Sequence, residues 1–136
     1  MANTFKLEIV TAEGPAYSED VEMVTLPGVT GQFGVYPQHV HLMTQMEPGE
    51  ITVRRDGRDT FFATGAGLIE VTPTRVSILT DLAVQAEKID EAKAEEARQR
   101  AEARLKEKLS AEEVATINAS LARSLAQLRV KRRPRK

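Results

Sequence analysis

Along roughly the first 80 residues, apolar and polar positions alternate with a period of two, in short runs separated by turn-forming residues. The runs are FKLEIV from Phe5, VEMVTL from Val21, EITVR from Glu50, DTFFAT from Asp59, GLIEV from Gly67 and RVSILT from Arg75. Successive side chains on a pleated strand point to opposite faces, so each run predicts a strand with one buried face. Asp56-Gly57 lies between EITVR and DTFF and suits a two-residue hairpin, because both residues tolerate the positive φ of a primed turn. Pro73-Thr74 supplies another reversal. Six or more short strands cannot hide both faces of one sheet, so the expected solution is an antiparallel sandwich or flattened barrel.

Near residues 82–90 the period lengthens to about 3.6. All eight glycines lie at or before Gly67, and no proline occurs between Pro73 and Pro134. The predicted fold class is therefore α+β, mainly β: a β-sandwich over residues 1–85, then an αα-hairpin with a basic tail over residues 86–136. Asp90 is a fitting N-cap for the first helix, which should end near Leu109 and carries Glu96/Arg100 and Glu102/Lys106 at i,i+4 spacing. Ser110 and Glu113 match a capping box and start the second helix. Its stripe is Val114, Ile117, Leu121, Leu125 and Leu128, whereas the first helix offers mainly Ala94, Ala97, Ala101, Leu105 and Leu109. Alanine allows close approach but buries little area, so the hairpin should be weakly held.

Composition narrows the function classes. At 136 residues the chain has room for a modest core, and it contains no cysteine, which removes disulfides, thiolate nucleophiles and sulfur-ligated zinc. No apolar run reaches the roughly 18 residues of a membrane span, and MANTFKLEIV alternates where a signal peptide would be continuously apolar, so a soluble, unprocessed chain is expected. Charge is uneven: residues 1–89 hold 12 acidic and 6 basic side chains, residues 90–136 hold 8 acidic and 13 basic. The halves present opposite surfaces to any partner.

PGVTGQFGVYPQHVHL, Pro27 to Leu42, concentrates three glycines, two prolines and both histidines of the chain. On a strand His39 and His41 would share a face, yet a metal site needs a further donor, and no other histidine or cysteine exists. Surface or interface histidines are the expected reading, with no metal. The glycines fit neither the P-loop nor the dinucleotide fingerprint, so they are expected to serve positive φ, at Gly31 and Gly34, and close packing. No G-x-S-x-G elbow is present. KRRPRK, from Lys131, lacks interleaved aromatics; it reads as a solvated electrostatic tail that, with Leu121, Leu125 and Leu128, suits docking on an acidic protein surface.

LPGVTGQFGVYPQHVHL, then MEPGEITV, GAGLIEVTPTRVSILTD and IDEAKAEEA, in that order and spacing, resemble the epsilon subunit of the bacterial and chloroplast-type rotary ATP synthase, the counterpart of mitochondrial delta, over essentially the whole chain. The resemblance implies a non-catalytic rotor subunit. Its sandwich would bind the gamma subunit and sit on the c-ring, with Gly31, Gln32, Gly34 and His39 in the ring-facing loop. Its helices would either fold on the sandwich or reach into the alpha/beta catalytic head and block ATP hydrolysis, carrying Arg123, Arg129, Lys131, Arg132 and Arg133 there. No cofactor is required. The resemblance also implies a weak regulatory ATP site at Ile89, Asp90, Lys93 and Arg123; Lys93 and Gln127 stand where ATP-binding members have arginines, and lysine lacks the planar fork that grips phosphate. Such a subunit is peripheral, on the cytoplasmic face of an inner or thylakoid-type membrane, and binds no nucleic acid. Two rival classes are a nucleic-acid-associated β domain with a basic hairpin and a metal-dependent sandwich enzyme.

Overall fold

The computed structural model describes residues 3–134. Among these, ten strands precede two helices: β1 (Phe5–Thr11), β2 (Gly14–Val21), β3 (Met23–Gly28), β4 (Gly31–Val35), β5 (Leu42–Met46), β6 (Gly49–Arg55), β7 (Arg58–Thr64), β8 (Gly67–Val71), β9 (Arg75–Thr80), β10 (Ala83–Gln85), α1 (Glu91–Arg104) and α2 (Ala111–Arg132). The sheet runs β10-β7-β6-β3-β5-β8-β9-β1-β2, with β4 paired to β3. It curls into a nearly closed sandwich, since β2 returns toward β7 and β6: the Tyr17 and Phe62 rings meet edge to face at 5.3 Å, and Glu19 pairs with Arg55 at 3.4 Å. Pairing is antiparallel apart from β1 with β9, which run parallel. A long connection separates those two strands, so no hairpin dictates their relative direction.

The alternation places Leu7, Ile9, Val24, Leu26, Ile51, Val53, Ile69, Val71, Val76 and Ile78 in the interior, each at most 1% exposed. Asp56 and Gly57 turn at φ 53° and 73°, as the sequence predicts, joining β6 to β7. The glycine-rich stretch is a β-hairpin, β3–β4, where the sequence suggested only a connection. Gly31 has φ 128°, which a branched residue would not tolerate. Gly34 is not at positive φ; it leaves room for Met23, whose Cε would lie 2.8 Å from an added Cβ.

Asp90 caps α1, accepting from the Lys93 amide at 3.1 Å. The helix stops at Arg104, short of the expected Leu109. Lys106 and Glu107 donate to carbonyls three residues back, which tightens the last turn and frees residues 105–109 to reverse the chain. The capping box is complete: Ser110 Oγ accepts from the Glu113 amide at 3.2 Å and Glu113 accepts from the Ser110 amide at 3.1 Å. Glu96 pairs with Arg100 as expected, while Glu102 pairs with Arg98 in place of Lys106.

Candidate functional site

The functionally suggestive region is the seam where the hairpin lies on the sandwich. The alternation of β7 turns Phe62 inward and Phe61 and Ala63 outward, and these two, with Val84 and Ala86, receive Ile89 and Val130. This apolar patch is small. Around it α2 places a series of cations against acids. Arg123 pairs with Asp81 at 3.0 Å, Arg132 with Glu91 at 2.6 Å and Glu95 at 3.4 Å, and Arg133 with Glu50, while Lys131 donates to the Ala86 carbonyl at 3.3 Å. Within α1, Arg98 bonds Glu95 and Glu102, and its bonding holds the Glu95 carboxyl down to about 2. The bond from Glu91 raises the Arg132 guanidinium above its ordinary value. Arg123, Asp81 and Arg132 are a third to a half exposed, so water and salt compete for these contacts and each contributes little alone.

Of the residues the resemblance assigns to nucleotide, Ile89 is 4% exposed in the seam, Asp90 caps α1, Lys93 lies exposed in the first turn, and Arg123 is held by Asp81. A cleft of about 620 Å³ opens elsewhere on the hairpin, lined by Arg98, Leu125, Leu128, Arg129, Arg132 and Arg133. Arg129 stands there with no ion pair among the described residues. Gln32 lines a second cleft, with Thr52, Arg54, Asp59 and Arg133. His39 sits on the loop after β4, its Nδ1 donating to the Val40 carbonyl at 2.8 Å, and that loop is tied to the β8–β9 turn by the Gln38 amide on the Pro73 carbonyl. His41 lies beside Glu70, and no cluster of three metal-ligating side chains occurs among the described residues. Arg135 and Lys136 of the basic run lie outside the described residues.

Sequence reasoning missed the acids that receive the cations, Asp81, Glu50 and Glu91. One signal was available: Phe61-Phe62-Ala63 breaks the alternation, and an apolar residue on both faces of a strand marks a strand covered on both sides. It also missed a second outer face. Leu68 and Leu79 stand opposite each other on β8 and β9, 48% and 55% exposed, with Met43 of β5 nearby at 69%. The stripe on α2 is only half used, since Leu128 is buried and Leu125 is 39% exposed.

Comparison with known proteins agrees with this architecture across its length. Residues 4–86 match the family described as ATP synthase, Delta/Epsilon chain, beta-sandwich domain, and residues 87–132 match the corresponding long alpha-helix domain. An ATP synthase epsilon chain of Herpetosiphon aurantiacus is 42% identical over 125 residues, 92% of each chain. That of Chloroflexus aggregans is 46% identical over 124 residues, 91% of this chain and 89% of its own. Among solved structures, a chain of the Euglena gracilis mitochondrial ATP synthase, in an OSCP/F1/c-ring assembly, shares the fold with a TM-score of 0.72 at 23% identity, over 88% of this chain and 76% of that one. With both halves matched in order and relatives above 40% identity over nine-tenths of the length, the chain belongs to the ATP synthase delta/epsilon family.

Proposed function

We propose that the chain is a non-catalytic central-stalk (rotor) subunit of a proton-translocating ATP synthase, coupling the c-ring to the catalytic head together with gamma and restraining ATP hydrolysis through its helices. The observation that carries the reading is the way the hairpin is attached: a small apolar seam ringed by half-exposed ion pairs, an arrangement that can open without unfolding the sandwich. The uncovered apolar face of Met43, Leu68 and Leu79 suits a lasting protein contact and is offered to gamma. The β3–β4 hairpin with Gly31, Gln32 and Gly34, and the loop carrying His39, are offered to the polar loops of the c-ring. No helix among the described residues is long and apolar enough to cross a membrane, and membrane attachment is proposed through the complex, on its cytoplasmic face. ATP is a weak regulatory ligand at most, for want of arginine at Lys93 and Gln127.

In the open state Arg123, Arg129, Lys131, Arg132 and Arg133 face the acidic catalytic head. Most of these cations already have partners in the folded hairpin, so neutralising them disturbs both states. Arg129 does not, and it gives the clean test. In reconstituted enzyme, Arg129→Gln should weaken inhibition of hydrolysis, and rising salt should weaken it further, because long-range attraction between exposed charges is screened. Unchanged inhibition by a chain lacking residues 123–136 would overturn the reading.

A further inference from the structure

We infer that Gly65 is a control point for hairpin docking: the space left by its missing side chain seats the Asp81 carboxylate, which in turn holds Arg123 of α2. Gly65 follows β7 and precedes β8, and its φ is outside the left-handed region, so the backbone does not demand glycine there. Space does. A methyl group on Gly65 would overlap an Asp81 carboxylate oxygen and stand 2.9 Å from Asp81 Cγ, with Arg123 Cγ next at 3.3 Å. The same void therefore accommodates both members of the ion pair.

The surrounding backbone fixes where the Asp81 side chain starts, so its half-exposed carboxylate can yield only by rotating away from its seat. The Gly65 amide donates to the Leu82 carbonyl at 3.2 Å. One residue before Asp81, the Thr80 hydroxyl lies 3.0 Å from the Ala66 carbonyl and 3.1 Å from that of Leu82, and accepts from the Leu82 amide at 3.4 Å. Thr80 is 8% exposed, so this bolt between the β7–β8 and β9–β10 corners is shielded from water. Asp81 is thus presented outward from two clamped corners, and an added side chain at residue 65 has to push the carboxylate off its seat. Arg123 then loses its partner on the sandwich and becomes available elsewhere.

The inference rests on the proposed function only for its consequence in the assembled enzyme: Gly65→Ala frees Arg123 and favours the open hairpin, strengthening inhibition. Docking itself is measured on the full chain by amide hydrogen exchange in residues 111–132, with β1 and β6 as internal controls. Losing one half-exposed ion pair should speed exchange in α2 by about 2- to 5-fold in Asp81→Ala, Arg123→Gln and Gly65→Ala alike, leaving the controls unchanged. The decisive variant is the double one. With alanine at 81 the obstructing carboxylate is gone, so Gly65→Ala should add almost nothing to Asp81→Ala. Wild-type exchange in Gly65→Ala, or a further twofold or greater increase in the double variant, overturns the inference. A chain with the expected exchange pattern that fails to inhibit hydrolysis would sink the functional proposal and leave the Gly65 seat standing.

Discussion

The sandwich and the hairpin are built from the same chain but hold themselves together by different means. In the sandwich, branched and aromatic side chains from most of its strands converge on one core, in which Leu7, Ile9, Leu26, Ile51, Ile69 and Ile78 are fully buried. In α1 the buried residues are Ala94 and Ala101, and in α2 burial is confined to Ser124, Ala126, Leu128 and Val130. The first half of α2 has no fully buried residue: Val114, Ile117 and Leu121 are only half-buried, and its start is fixed by the capping box. Stability is therefore concentrated in one region and withheld from the other, which is the condition for a part that moves while its base stays intact.

The largest expected effect tests whether dependence runs one way. Ile78→Ala should cost the sandwich about 2–5 kcal/mol and lower its thermal midpoint by at least 8 °C or so, and the hairpin should lose its docking surface in the same transition. Leu128→Ala should loosen the hairpin while leaving the β transition in place, followed by near-ultraviolet and far-ultraviolet circular dichroism. A matching fall in both signals for Leu128→Ala would mean that the two regions form one cooperative unit.

Acid should separate them next. The bonds from Arg98 pull the Glu95 carboxyl down to about 2, and the Ser110 amide and hydroxyl pull Glu113 below its ordinary value of 4.5. Each is lowered in the folded state, so each contributes stability that is complete above the unfolded value and disappears as pH falls through the folded one. Both belong to the hairpin. Helical signal should hold above pH 5 or so and decline as pH falls from about 4.5 toward 2, ahead of the Tyr17 environment, whose near-ultraviolet band reports the sandwich. Loss of both signals together would contradict the division.

The smallest effect sharpens it. Ser110→Ala removes one cap and should cost α2 about 1 kcal/mol, visible as faster amide exchange in residues 111–114 and as no change in β1 or β6.

What could be read from the sequence follows how local each determinant is. The β6–β7 hairpin and the start of α2 were legible because Asp56-Gly57 and Ser110 to Glu113 hold their information within four residues. β2, β4, β5 and β10 were not. β2 and β10 end the sheet path and β4 hangs off it, so they lack a full alternating face, and β5 shows Leu42 and Met43 to solvent. The seam was legible at its cations but not at their acids, since Asp81 and Arg123 meet across 42 positions and no local rule pairs them. The seat at Gly65 was equally hidden: its reason is an atom of a side chain 16 positions away.

The complete capping box has a mechanical consequence. Its two bonds both run between Ser110 and Glu113, and the one tie to α1 is Arg104 at 3.7 Å from the Glu113 carboxylate, next to the turn, so α2 would keep its first turn if the seam opened as proposed. In the open state proposed above, α2 is then a rod, not a slack thread. At 1.5 Å per residue, its 22 residues span about 33 Å. With the pivot at residues 105–109, the end that travels farthest is the one at Arg132, so the loss of a few seam contacts becomes a displacement on the scale of the helix length.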